Sequence, residues 1–258
     1  MCELFAVSAS GPFDAGRYLS VFAQRGGRTA HHKDGWGVAI REGNGFELKR
    51  ETGPACDSGI MASLVRCATN VDLLLAHVRL AITGSVALKN TQPFVREIRT
   101  KPVAFAHNGF LKDYKPLSTT TGMHNQPLGD TDSERAFCDF IDYCGDMLGN
   151  RMTMETFATF SCHARQFGPS NFITASGSMV FAHAHRRTQD NGRIEPPGLW
   201  LLERGNSRRW KAMAGSQIQT RVVLIASVPL TDENWERLEQ GTVLEINRGS
   251  VTQRSVYS

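Results

Sequence analysis

The sequence predicts an α+β fold in which packed β-sheets are covered by helices. Two observations carry this prediction: short apolar segments follow one another in hairpin-like pairs, and the few helical patterns are bunched between them. A doubly wound parallel sheet would instead alternate strands with helices. The chain has 258 residues and no stretch of linker composition, so we expect one domain over residues 1–258.

The predicted strands begin almost at the N-terminus. Residues 3–9 form an apolar segment of the length of a strand, so Cys2 would lie directly before its first residue. Similar segments predict further strands at residues 36–40, 46–48, 73–78, 103–107, 172–175, 179–183, 199–202, 222–226 and 243–246.

Helical patterns are fewer. They predict helices at residues 14–24, 60–67, 132–148 and 154–166, and a short one at 233–238. In the clearest of these, residues 131–134 read as a capping box, with Thr131 as the N-cap and Glu134 three positions later. Its apolar face consists of Ala136, Phe137, Phe140, Ile141 and Cys144.

Composition excludes several classes of function. The net charge of +4 and the pI near 8.8 are only mildly basic, with acidic residues interleaved throughout, which is no nucleic-acid footprint. No apolar run reaches the roughly 18 residues of a membrane span, and the N-terminus lacks a signal-peptide pattern. The six cysteines form no CxxC pair and are typical of reduced thiols. We therefore expect a cytoplasmic, soluble protein.

Cys2 is the first candidate for chemistry. Methionine aminopeptidase generally removes Met before a small residue, which would make Cys2 the N-terminus. Its α-amine, with a pKa of about 7.7 to 8.0, could then take the proton of a thiol with a pKa of about 8.5. One residue would thus supply both nucleophile and base. Taken alone, the position of Cys2 favours simple packing.

Several further motifs follow Cys2 in a fixed order. These are LAHVRLAITG at residues 75–84, NTQPF at 90–94, FAHNG at 105–109 and DTDSE at 130–134, together with QRGG at 24–27 and DGWG at 34–37. In this order the sequence resembles the glutaminase domain of the class II glutamine amidotransferases, which are N-terminal-nucleophile hydrolases. It is most similar to their stand-alone YafJ-type branch, which is related to enzymes acting on γ-glutamyl compounds of glutathione and ergothioneine metabolism. Residues 171–172 and 226–231 also match, so the resemblance covers nearly the whole chain.

The resemblance implies a four-layer αββα sandwich and a set of catalytic roles. Cys2 would attack the γ-carbonyl of glutamine, or of another γ-glutamyl amide or peptide, to form a thioester. Asn108, through its side-chain amide, and Gly109, through its backbone N–H, would form the oxyanion hole. Gly26 aligns with a segment that positions the N-terminal cysteine. No cofactor and no metal ion is implied.

Two further residues match the substrate-binding positions of the family. Arg79 would hold the α-carboxylate, for which a planar two-pronged donor is the natural partner. Asp132 would pair with the α-ammonium. Without the resemblance, Asp132 would be read simply as an acidic residue favoured in the first turn of a helix.

The sequence also departs from the broader family around the glutamine-binding loop. Leu80, Ile82 and Thr83 stand where many members have an aromatic residue and a Thr-His pair, and Gln92 stands where His is common. These changes remove polar contacts near the substrate but leave the nucleophile and the oxyanion hole intact. They leave the identity of the γ-glutamyl substrate open.

Other functions compete with this hypothesis. His31-His32 and the pair His183 and His185 could supply imidazoles to a metal ion, although no further ligand is spaced to join them. Short basic clusters could contact RNA; they are residues 25–28, 186–187 and 208–210. The chain could also donate ammonia to a separate acceptor subunit, or be an inactive partner-binding module with the same fold. Of these possibilities, the sequence favours hydrolysis of a small γ-glutamyl substrate.

Overall fold

Two antiparallel sheets stacked face to face form the centre of the structure. The structure is a computed structural model that describes residues 1–117, 125–147, 152–205 and 220–258. Residue 148 of the predicted third helix and the basic cluster at 208–210 lie outside these residues.

Fifteen strands and four α-helices are found in the described part of the chain. The strands are β1 (Glu3–Phe13), β2 (Trp36–Glu42), β3 (Gly45–Glu51), β4 (Val71–Val78), β5 (Phe94–Ile98), β6 (Lys101–Gly109), β7 (Ser170–Ser176), β8 (Met179–His183), β9 (Arg187–Thr188), β10 (Ile194–Glu195), β11 (Trp200–Arg204), β12 (Val222–Ala226), β13 (Glu236–Arg237), β14 (Thr242–Asn247) and β15 (Ser250–Val256). The helices are α1 (Gly16–Arg25), α2 (Gly59–Cys67), α3 (Asp132–Asp146) and α4 (Met154–Ala164).

The strands form two large sheets and a short ribbon. The first large sheet has the order β13-β11-β12-β1-β4-β2-β3, and the second has the order β15-β14-β8-β7-β6-β5. The ribbon pairs β9 with β10. In the first sheet β1 is central, because it pairs with β4 on one side and β12 on the other. The residue that precedes it is therefore held between two neighbouring strands.

The alternation of side chains along β1 explains the layers. Phe5 points to one face of its sheet and packs with Phe22 of α1, whereas Leu4 and Ala6 point to the other face, into a core made mostly of strand residues. This middle core joins the two sheets. Each sheet therefore buries both of its faces.

A third core lies on the outer face of the second sheet. Phe105 of β6 stacks on Phe137 of α3 with ring centroids 4.8 Å apart, and it meets Phe160 of α4 edge-on at 6.3 Å. Helices α1 and α2 cover the first sheet in the same manner. The order helix, sheet, sheet, helix confirms the predicted four-layer αββα sandwich.

Helix α3 begins as the sequence predicts, with one difference. The Thr131 hydroxyl accepts the Glu134 N–H at 3.2 Å, as an N-cap should. The Glu134 carboxylate does not return this contact to Thr131. It accepts the Gly129 N–H at 2.6 Å and pairs with Arg96 at 2.8 Å, so it ties the helix to the preceding loop and to β5.

The predicted helix at residues 233–238 is wrong. Trp235 and Leu238 have a helical spacing, but Trp235 packs in the core under α1 whereas Leu238 packs in the core between the sheets. Between them Glu236 and Arg237 form the short strand β13 at the edge of the first sheet. An extended segment can send nearby side chains to opposite faces, and one helical face cannot.

The strands β5 and β15 were not predicted from the sequence. They are the two edge strands of the second sheet, and polar residues interrupt both; most of those in β15 are exposed, as is Glu97 in β5. None of the helices described has both the length and the apolar character that a membrane crossing requires.

Candidate active site

Cys2 lies directly before β1 and is half-buried. Its thiol donates to the Leu80 carbonyl at 3.6 Å, just beyond the end of β4, where Glu3 pairs with Val78. Burial raises the pKa of the Cys2 thiol, and the positive charges of the chain N-terminus and of Arg79 oppose that shift. The thiol therefore needs a nearby base to react at neutral pH.

A buried ion pair fixes the strand that follows Cys2. Glu3 is 1% exposed. Its carboxylate accepts hydrogen bonds from the Nε and the Nη2 of Arg25, the last residue of α1, and the Nη2 contact measures 2.6 Å. A two-pronged contact of this kind restrains both partners. Helix α1 thus holds the N-terminal segment in place.

Gly26 follows this arginine and has a packing reason to be glycine. A Cβ at this position would come within 2.5 Å of the Ala55 side chain. The Gly26 carbonyl also accepts the Cys56 N–H at 3.2 Å. The close approach of two segments therefore accounts for this glycine, and its predicted role in positioning Cys2 stays a prediction.

Arg79 is 3% exposed and holds the loop that follows it. Its guanidinium donates to the carbonyls of Thr83 at 3.0 Å, Gly84 at 3.3 Å and Ser85 at 3.0 Å. Three of the five N–H donors are then engaged, which leaves two for a ligand. Arg79 therefore stabilises the loop that borders the site and also brings a positive charge to it.

Asp34 holds the same loop from its other end. Its carboxylate accepts the Ala81 N–H at 2.9 Å, and its backbone N–H donates to the Arg79 carbonyl at 3.0 Å. Asp34 belongs to the DGWG motif, but the sequence alone predicted no role for it. The signal was present, because an acidic residue beside two glycines is typical of a turn that makes side-chain contacts.

Asp132, in the first turn of α3, closes the opposite side of the loop. One carboxylate oxygen accepts the Leu111 N–H at 2.6 Å, and the other accepts the Thr83 hydroxyl at 3.2 Å. Thr83 thus connects Asp132 to Arg79, because its carbonyl also accepts from the arginine. The two predicted substrate-binding residues are joined through one residue of the loop that follows β4.

Asn108 reaches the site from the second sheet, near the end of β6. It is completely buried, and its Nδ2 donates to the Ser227 hydroxyl oxygen at 3.1 Å. The same oxygen accepts the Leu4 N–H at 2.9 Å. Ser227 therefore links β1, the strand that follows Cys2, to the predicted oxyanion-hole residue. Sequence reasoning noted the segment 226–231 but missed this serine.

The Oδ1 atom of Asn108 is buried and has no hydrogen-bond partner among the described residues. A buried amide oxygen is normally satisfied by a hydrogen bond, so this atom is an exception within the described part of the site. Gly109 follows, and a Cβ there would lie 1.8 Å from the Pro169 carbonyl oxygen. No other residue fits at this position.

His107 and Gln92 support β6 behind the site. The Gln92 side-chain oxygen accepts the His107 N–H at 2.6 Å, and the His107 Nδ1 lies 2.9 Å from the Ser133 hydroxyl. Gln92, a departure from the broader family, is therefore part of the scaffold. His77 is also fully buried here, and neither of its ring nitrogens has a hydrogen-bond partner among the described residues.

His183 and His185 lie at the end of β8 and just beyond it. Both are buried, with ring centroids 6.0 Å apart, and the His183 Nδ1 lies 2.8 Å from the Ser170 carbonyl. Across the described residues, no group of three or more His, Cys, Asp or Glu side chains is arranged to hold a metal ion.

One large cavity is remote from Cys2. It has a volume of about 960 Å³ and is lined by the start of β6, including Lys101 and Pro102, and by the turn between β7 and β8. Asn108 lies at the other end of β6, roughly 20 Å away for six residues of extended chain. Size alone therefore does not identify the functional site.

A comparison with known families decides the identity of this site. The model of the family described as glutamine amidotransferases class-II matches residues 1–257. The chain belongs to the class II glutamine amidotransferases. This membership confirms the resemblance seen in the sequence motifs.

Relatives of this amidotransferase share most of its length. The YafJ protein of Escherichia coli strain K12 is 33% identical over 248 residues, which cover 93% of this chain and 95% of that protein. A crystal structure described as a predicted glutamine amidotransferase from Pseudomonas aeruginosa superposes with a TM-score of 0.65 at 24% identity, over 98% of both chains.

The fold also recurs within a longer enzyme. The glutamine phosphoribosylpyrophosphate amidotransferase of B. subtilis superposes with a TM-score of 0.62 at 16% identity. It matches 100% of this chain but only 49% of its own length. That likeness shows the fold alone, and it supports the αββα architecture of this amidotransferase.

Proposed function

We propose that this amidotransferase hydrolyses glutamine, or another γ-glutamyl amide or peptide, through a thioester on Cys2. Residues 1–258 would act as one glutaminase domain. The observation that carries the proposal is the bridge through Ser227, which ties the strand of the half-buried Cys2 to the buried amide of Asn108. A nucleophile and an oxyanion donor must share such a fixed frame.

The chemistry begins when Met1 is removed and the α-amine of Cys2 becomes free. The amine takes the thiol proton, and the sulfur attacks the γ-carbonyl carbon, forming a C–S bond. The carbonyl oxygen becomes an oxyanion, which Asn108 and the Gly109 N–H stabilise. Collapse breaks the C–N bond, and the leaving nitrogen takes the proton from the α-amine. Water then attacks the thioester, releasing glutamate and restoring the thiol.

Substrate recognition falls to Arg79 and Asp132 in this proposal. The two free donors of Arg79 would contact the α-carboxylate, and Asp132 would attract the α-ammonium. The loop contact through Thr83 supports this pairing, because it brings the two charges to one wall. Release of the Gly84 or Ser85 carbonyl from Arg79 would free further donors for a two-pronged contact.

The test is a glutamate-release assay on Met-free protein, with glutamine, glutathione and other γ-glutamyl amines compared side by side. We expect release from at least one of them, a trapped γ-glutamyl adduct on Cys2 by mass spectrometry, and neither with Cys2→Ala. A trapped adduct with slow turnover would favour the alternative of ammonia donation to a separate subunit. An absence of both adduct and release would favour an inactive partner-binding module.

We also propose that the protein works in the reducing cytoplasm without a cofactor. All six cysteines lie in the described residues and are free thiols, and Cys138 and Cys144 are buried. A catalytic thiol must stay reduced, and the cytosol keeps it so. The substrate is a small γ-glutamyl molecule, and nucleic acid and membrane are not partners in this proposal.

A further inference from the structure

His32 lies in the loop between α1 and β2 and faces the N-terminus. It is 8% exposed. Its Nε2 is 2.7 Å from the carbonyl oxygen of Met1, and its Nδ1 is 3.3 Å from the carbonyl oxygen of Arg25. The neighbouring His31, by contrast, is exposed.

The two contacts of His32 compete for one proton. Both partners are carbonyl oxygens, which only accept, whereas a neutral imidazole has one N–H and one lone pair. While Met1 is present, only one of the two contacts can be a hydrogen bond of a neutral ring. A doubly protonated ring would satisfy both, but burial lowers the pKa of His32 and favours the neutral form.

Removal of Met1 resolves this competition. The carbonyl oxygen and the nitrogen of one peptide group are separated by only about 2.3 Å, so the new α-amine of Cys2 remains within about 5 Å of the His32 Nε2. An acceptor facing Nε2 is thereby replaced by a donor. The ring can then donate through Nδ1 to Arg25 and accept through Nε2.

We propose that His32 is a positioning residue for the mature N-terminus: its Nε2 accepts a hydrogen bond from the α-amine of Cys2, directly or through one water. The inference rests on the proposed function, because it needs a free α-amine. One N–H of the amine is then fixed on His32, so its lone pair stays directed at the thiol. The Arg25 carbonyl fixes the ring from its other side.

The charged and titratable groups around His32 come from three elements. Glu3 of β1 favours the protonated ring, but it is already paired with Arg25 of α1. The N-terminal ammonium disfavours it, and the buried His77 of β4 lies close enough that the charge of His32 lowers the pKa of His77. His32 is therefore neutral, and able to accept, at neutral pH, and it loses this ability only when acid protonates it.

The experiment compares Met-free wild type with His32→Ala, His32→Gln and His31→Ala, each verified by intact mass and thermal melt. At neutral pH we expect His32→Ala to lower kcat/KM about tenfold, and His32→Gln to restore most of the loss, because its amide oxygen can accept the same hydrogen bond. In acid, wild type should lose kcat/KM with two protonations, and His32→Gln with one. His31→Ala should match wild type in both respects.

A second measurement does not depend on turnover. The α-amine of protein carrying isotope-labelled cysteine is titrated by NMR. A neutral imidazole acceptor favours the ammonium form, so the amine of His32→Ala should titrate at lower pH than that of wild type and of His31→Ala. An unchanged titration in His32→Ala would overturn the role of His32, even if glutaminase activity were present. A shifted titration without any glutaminase activity would keep it and refute the proposed function.

Discussion

Ser227 is the residue on which the arrangement of the site depends. Its hydroxyl oxygen accepts from the Leu4 backbone and from the Asn108 side chain, and these partners belong to different sheets. The Asn108 amide is thereby oriented before any substrate binds. Preorganised donors of this kind stabilise a developing negative charge better than donors that must reorient.

At the residue scale, Asn108 and Arg79 should fail in different ways. Asn108→Ala removes a donor needed for the oxyanion, so kcat should fall by roughly 10² to 10³ with KM little changed. Arg79→Ala removes binding made in ground and transition states alike, so KM should rise far more than kcat falls. Steady-state kinetics on folded variants, verified by thermal melts, measure both. A near-normal kcat for Asn108→Ala, with an unchanged KM for Arg79→Ala, would contradict the assigned roles.

Cys2 should be the only cysteine that reacts with a glutamine-analogue diazoketone. Its strand is tied through Ser227 to Asn108, the proposed oxyanion donor, whereas Cys138 and Cys144 are buried within α3 and burial raises their pKa values to about 11 and about 12. Peptide mapping after labelling locates the adduct. Cys67→Ser is the control, because Cys67 is exposed and has no role in the proposed mechanism. This variant should be labelled to the same extent as wild type. An adduct on another cysteine with Cys2 unmodified would refute the assignment.

At the element scale, helix α3 carries Asp132 into the site, and its N-cap can be separated from that role. Thr131→Ala removes the cap of α3, and Thr153→Ala removes the matching cap of α4. Each should cost about 1 kcal/mol in the free energy of unfolding, measured in urea. Only Thr131→Ala should also raise KM, because only α3 presents Asp132. Equal KM values in the two variants would show that α3 does not contribute to substrate binding.

The elements that were predicted from the sequence are those with a clear apolar segment or a regular apolar period. The apolar face of α3, including Phe137 and Phe140, is fully buried, as predicted. The edge strands β5 and β15 could not be found in this way, since polar residues interrupt their apolar pattern. The helix predicted around Trp235 failed because its apolar residues serve two different cores.

The candidate site was predictable only in part. Motifs and family resemblance singled out Cys2, Arg79, Asn108 and Asp132. The structure connects these residues through the loop that follows β4 and through Ser227. Sequence could not show that Arg79 also binds loop carbonyls, because such contacts depend on backbone geometry rather than residue type.

At the scale of the whole molecule, buried histidines should make stability depend on pH. Burial lowers the pKa of His183 to about 3 and of His185 to about 4, from 6.5 in the unfolded chain. The unfolded chain therefore binds more protons in acid, so stability is fully present above pH 6.5 and is lost as pH falls toward 3. Burial shifts the pKa values of His77 and His107 in the same direction.

Urea unfolding at a series of pH values tests this dependence. Each buried histidine should contribute a slope of about 1.4 kcal/mol per pH unit between its two pKa values. His185→Gln should reduce the slope, and His31→Gln should leave it unchanged, because His31 is exposed. An equal slope in His185→Gln and wild type would show that His185 is not neutral in the folded protein.

The proposed mechanism depends on a free α-amine at Cys2. The most direct measurement is glutamate release, with the N-terminus read by intact mass, for the natural chain and for a chain with one glutamate inserted between Met1 and Cys2 to block removal of Met1. We predict activity only in the natural chain and only in its Met-free fraction. Equal activity in the blocked chain, with Met1 still present, would contradict the N-terminal-nucleophile mechanism.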